Sequence, residues 1–182
     1  MEFADSWATD AHKWPNAGYD CGIAFVRDPE QLRSAMAASS AYFIPGGERE
    51  PSQFTPEMSR RARGVELWAA LASLGRSGLA DLIDRTCAHA QRFTAGLREH
   101  GFDILNDVVI NQVLVSFGPP DVTREVIAQV QRDGICWCGG TEWQGRTAMR
   151  ISVSSWATTS ADVDASINAM IRASSSARIR RS

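Results

Sequence analysis

Lysine is almost missing from this 182-residue chain: of nineteen cationic side chains only Lys13 is not arginine, and it stands in "TDAHKW" (9–14). Other things are scarce too. No apolar run approaches the roughly 20 residues that span a bilayer, which argues against a membrane partner. The amino terminus has neither the charged nor the apolar region of a secretory signal, so the expected location is cytoplasmic. A formal net charge of −2 provides no overall field to recruit nucleic acid. Cys21, Cys87, Cys136 and Cys138 are then expected as free thiols. The "CWC" pair at 136–138 lacks the second Cys/His pair that a zinc site needs, and strand alternation would place both sulfurs on one face as ordinary packing.

What remains has an average globular composition, 44% apolar and 22% charged, enough for a real core. "CGIAFVRDP" (21–29) reads as a buried strand, and Pro29 opens a short helix over 29–38. Residues 39–57 carry three prolines and Gly46-Gly47, a long loop. Two helical stretches follow, 59–75 with Val65, Trp68 and Leu71 on one stripe, and 77–101 ending at Gly101. The last third predicts a strand at 111–118, a helix at 121–134, a short strand and turn at 135–140, a strand at 146–155 and a helix at 159–173. That order resembles a split βαβ unit, an α/β sandwich, and divides the chain near residue 100. The polar, basic end 174–182 predicts disorder.

The lone lysine matters because an ammonium can lose its proton and attack a carbonyl, which a guanidinium cannot. A compositional bias toward arginine would equally leave one lysine behind. Among other candidates, Arg60, Arg61 and Arg63 suit a solvated helix start, an anionic substrate or loop capping. His89 and His100 read as structural, and Arg150 suits a carboxylate or a salt bridge.

"ADSWATDAHKW" resembles the Schiff-base segment of the group II pyridoxal-phosphate-dependent amino-acid decarboxylases, with Asp5, Ser6, His12, Lys13 and Trp14 in matching places. "YDCGIAFVRDP", "SRRARGVELWAALASLGRSGLADLI" and "AMRISVSSWATT" continue the resemblance in the family's order. It implies a fold-type I pyridoxal-phosphate-dependent transferase-like α/β architecture, present here as the carboxy-terminal edge of the large domain plus the small domain. Residues 1–58 would be the remnant of the cofactor domain, 59–101 linking helices, 102–173 the small domain and 174–182 a disordered tail. It implies pyridoxal phosphate held covalently by Lys13, with His12 and Asp10 near its phosphate and Tyr42 on a mobile loop as proton donor. Asp10 replaces the usual Asn, and its carboxylate would repel a phosphate. Pro15 and Gly18 replace the usual apolar residues. The implied reaction is decarboxylation of an L-amino acid in a homodimer or paired with a longer homologue. Transamination, carbon–carbon cleavage and a non-catalytic fragment stay open.

Overall fold

A computed structural model describes residues 3–37 and 49–180, in two compact units, Met1–Leu74 and Gly75–Ser182.

In the first unit, β1 (Ser6–Asp10) pairs antiparallel with β2 (Gly22–Val26), Ser6 opposite Val26 and Asp10 opposite Gly22. Only β2 is expected from sequence; β1 lies inside the lysine motif, and every one of its residues is exposed. The cross-strand aromatic pair Trp7–Phe25 is about half exposed, so β2 is not the buried strand its composition predicts. Asp28 caps α1 (Pro29–Met36) by accepting from the Glu30 amide at 3.0 Å, and Pro29 occupies the first turn where a missing N–H costs nothing. A 3-10 turn at Pro51–Phe54 precedes α2 (Arg63–Glu99). Gly75, at φ 62°, interrupts α2 where the sequence separates two helices. The stripe of Val65, Trp68 and Leu71 is helical as predicted, but it is exposed at 64%, 69% and 39%.

The second unit begins at that break. It contains the rest of α2, β3 (Asp103–Ile104), β4 (Gln112–Ser116), α3 (Pro120–Asp133), β5 (Gly139–Trp143), β6 (Arg146–Ser152) and α4 (Ser160–Ile179). The sheet order is β3-β4-β6-β5, each neighbour antiparallel. Since β4 and β5 both oppose β6, they run parallel to each other, are joined through α3 and have β6 between them. That is the split βαβ unit expected from the element order. Val113, Val115, Met149 and Ile151 fill one sheet face against Phe93 and Leu97 of α2 and Val126 of α3.

Two expectations change. The strand predicted at 135–140 starts only at Gly139, and a tight turn at Gln144 and Gly145, both at positive φ, joins it to β6. The terminal helix does not stop at 173. A capping box between Thr159 and Asp162 starts α4, which runs to Ile179 with Ser174 and Ala177 buried, so residues 174–179 are helical where disorder is expected. Small residues fill that face, which hides it from a reading of apolar periodicity. The division at Gly75 also assigns the second limb of α2 to the carboxy-terminal unit, rather than to a linker ending at 101.

Leu97 is fully buried in this core. Leu97→Ala is expected to lower stability by about 2–5 kcal/mol in urea unfolding. Val65→Ala, at an exposed site, should stay within about 0.5 kcal/mol.

Candidate functional site

Lys13 sits in the loop that joins β1 to β2, and that loop is folded back on itself. The amides of Lys13 and Trp14 donate to the Asp10 carbonyl at 2.9 and 3.2 Å, Ala17 donates to Ala11 at 2.9 Å, and His12 donates to Cys21 at 3.2 Å. Such tight backbone pairing needs small side chains inside, and Ala11, Ala17 and Cys21 are buried there against Ile23 and Leu67. Asn16 adopts φ 64°, a left-handed conformation that Asn tolerates, and its side chain donates to the Lys13 carbonyl.

The start of α2 holds the loop from outside. Arg63 Nε donates to the Asp20 carboxylate at 3.1 Å and to the Asp20 carbonyl at 3.0 Å, and Arg61 donates to the same carbonyl at 3.1 Å. The hydrogen bond from Arg63 holds the Asp20 carboxyl below the usual carboxylate range, and Asp20 raises Arg63 in return. Arg61 also pairs with Glu66 at 3.1 Å, and Arg60 lies 4.0 Å from Glu57. Of the three roles open to this arginine cluster, a solvated helix start, an anionic substrate and loop capping, the contacts of Arg61 and Arg63 with Asp20 match loop capping. Gly18 lies against the end of the Glu66 side chain, whose Oε2 would be 2.7 Å from a Cβ at that position, a flexible group that would have to move aside for a larger residue.

On this frame the Lys13 side chain is exposed, and its ammonium contacts the Asp10 carboxylate. That hydrogen bond, followed by the Lys13 charge, lowers the Asp10 pKa. His12 Nδ1 lies 3.1 Å from the Cys21 carbonyl. A carbonyl only accepts, so Nδ1 carries the proton and Nε2 remains for another partner. The His12 ring packs on Tyr19 at 4.6 Å between centroids. The indole N–H of Trp14 is buried without an acceptor among the described residues. Beside Asp10, a recess of about 500 Å³ runs along the hairpin, shaped by the small residues Ala8, Gly22 and Ala24.

The structure therefore brings together Asp10, His12 and Lys13. Tyr42 lies outside the described residues. His89 is buried with Nε2 3.1 Å from the Thr158 carbonyl, and His100 meets the Gly96 carbonyl at 2.8 Å, both structural as expected. Arg150 is exposed on β6 and has no ion-pair partner among the described residues. Asn16, Asp20 and Glu66 were not singled out from sequence. The Asp20–Arg63 contact spans 43 positions, beyond any local pattern.

Comparison with known proteins gives this geometry a context. The pyridoxal-dependent decarboxylase conserved domain matches residues 1–118. An aromatic-L-amino-acid decarboxylase of Drosophila lebanonensis is 28% identical over 121 residues, covering 64% of this chain and 30% of that protein. A 4-hydroxyphenylacetaldehyde synthase of Rhodiola rosea is 26% identical over 153 residues, covering 78% of this chain and 31% of that one. The crystal structure of Oryza sativa TDC with PLP and tryptamine superposes at a TM-score of 0.87 with 20% identity, over 96% of this chain and 39% of that chain. At that identity the likeness shows the fold, an α/β architecture of the fold-type I kind. The chain thus spans about a third of the length of the relatives it matches. With the conserved-domain match extending from the lysine hairpin to the end of β4, this chain belongs to the pyridoxal-dependent decarboxylase family.

Proposed function

We propose that this chain is the lysine-bearing, small-domain part of a cytoplasmic pyridoxal-phosphate-dependent decarboxylase acting on an L-amino acid. One observation carries the reading: the chain's single lysine is exposed in a loop that its own backbone hydrogen bonds fold back on itself. The residues present fit the cofactor. Lys13 provides the amine for a covalent bond to its aldehyde. His12, with Nδ1 committed to the Cys21 carbonyl, has Nε2 for the phosphate. The unsatisfied indole N–H of Trp14 marks a place in the loop where an acceptor is missing. When bound, the cofactor's ring supplies an electron sink for the pair left by departing CO₂.

Asp10 works best as the counter-ion that orients Lys13 within this site. The contact accounts for a carboxylate in the usual place of Asn, because the Lys13 ammonium offsets the charge that would otherwise repel phosphate. Tyr42, outside the described residues, is proposed as the proton donor.

The exposed hairpin supports the reading that further polypeptide belongs on it. Two strands alone are marginal in water, and Trp7 and Phe25 lie open. Either a homodimer or pairing with a longer homologue would supply that cover. The Met1–Leu74 unit then carries the remnant of the cofactor domain, and Gly75–Ser182 the small domain. The Rhodiola relative is an aldehyde synthase, so product identity decides the reaction.

Lys13→Arg keeps the charge and removes the only side-chain amine, so pyridoxal phosphate should no longer survive dialysis with the protein while the far-ultraviolet spectrum is unchanged. Retention equal to the native chain would sink the assignment. In a decarboxylase reaction the products are CO₂ and the matching amine; a keto acid would favour transamination instead.

The Asp10 role has its own check. Its carboxyl is depressed, so its contribution to stability is present above the ordinary aspartate value and is lost as pH falls from there through the lowered one. Lys13→Gln should move the Asp10 midpoint upward in a carboxyl NMR titration. An unmoved midpoint contradicts the pairing.

A further inference from the structure

The first unit contains a second hollow, larger than the recess beside Asp10 and lined by none of Asp10, His12 and Lys13. It measures about 930 Å³ and opens between β2, α1, the Pro51–Phe54 turn and the start of α2. Such a volume suits a small organic molecule rather than a bare ion. Its floor is apolar. Ile23 and Leu67 pack against the buried Ala11, Ala17 and Cys21, and both also line the hollow. Leu32 joins them from α1, a helix in which no residue is fully buried.

The charge on the wall is one-sided. Arg33, Arg49, Arg60 and Arg63 line it, and among the described residues Glu30 is the only carboxylate that does. Two of the four guanidiniums are already engaged. Arg33 meets Glu30 at 3.3 Å, one turn away on α1, and Arg63 holds Asp20 at 3.1 Å. The other two keep their donors. Arg49 sits over the Phe54 ring at 4.5 Å and has no carboxylate partner among the described residues. Arg60 lies 4.0 Å from Glu57, too far for a hydrogen bond. A guanidinium cannot shed its charge, and its planar fork of N–H donors matches the two oxygens of a carboxylate.

We propose that this hollow binds a small organic carboxylate, whose charge Arg49 and Arg60 receive and whose apolar body lies on Ile23, Leu32 and Leu67. The arrangement selects for both halves of such a ligand. An inorganic anion would leave the apolar floor in water. A neutral apolar molecule would displace water from the two guanidiniums without replacing its hydrogen bonds. Phe54 prepares Arg49 for the ligand, since a guanidinium held over a ring has less rotamer freedom to lose. Gly64 lines the hollow too, and a Cβ there would meet nothing within 4 Å, so the wall accepts a larger residue. It lies within α2, where most residues suit a helix better than glycine does.

The test titrates the full chain with 2-naphthoate and follows its backbone amides by NMR, with 2-naphthamide as the neutral isostere. Naphthoate should shift amides within 21–33 and 49–67 and bind at least about tenfold more tightly than naphthamide. Arg49→Gln and Arg60→Gln should each weaken naphthoate about fivefold or more and leave naphthamide unchanged, which separates lost charge from lost fold. Gly64→Leu, which adds bulk to the wall, should weaken both ligands. Lys13→Arg should bind naphthoate as the native chain does, so failure of the cofactor assignment leaves this site standing. Equal affinity for acid and amide, or unchanged affinity in both arginine variants, would overturn the proposal. Shifts centred on the exposed Trp7, Trp137 and Trp156 instead would do the same.

Discussion

The lysine site depends on one tie, the grip of Arg63 on Asp20. Arg63 Nε meets both the carboxylate and the carbonyl of Asp20, so it fixes the main chain as well as the charge. An exposed ion pair alone contributes little. Here it acts with the buried Ala11, Ala17 and Cys21 and with the loop's own amide bonds. The result is a long side chain with many rotamers, displayed from a loop with few. Ordering the loop before ligand arrives reduces what binding must later spend on it.

The two units follow different logic. Around the split βαβ sheet, apolar faces close on one another and the interior holds large side chains such as Met149, Met170 and Phe117 at or below 1% exposure. In the lysine unit, buried residues are few and small among the described residues, while Trp7, Phe25 and Trp68 are exposed. That contrast is what supports the proposal that the hairpin gains its stability from additional chain.

Much of this was legible from sequence for definite reasons. Lys13 stood out because arginine had replaced every other lysine, and the order of elements after residue 102 carried the split βαβ unit. Gly75 separated the helices because no apolar repeat crosses it. What escaped detection was non-local or chemically quiet. β1 is short and exposed on both faces, so it lacks the half-buried alternation that marks a strand. β5 opens on Gly139-Gly140, poor strand formers. The last turns of α4 pack through Ala and Ser. The Asp20–Arg63 tie joins residues far apart in the chain.

The central claim is that Lys13 is the cofactor's covalent anchor. It is tested most directly by mixing the chain with pyridoxal phosphate, reducing with borohydride and mapping the label by mass spectrometry. A pyridoxyl label on Lys13 that disappears when a competing amino acid is added is the expected result. Label confined to the terminal amine, or undiminished by the competitor, would contradict it.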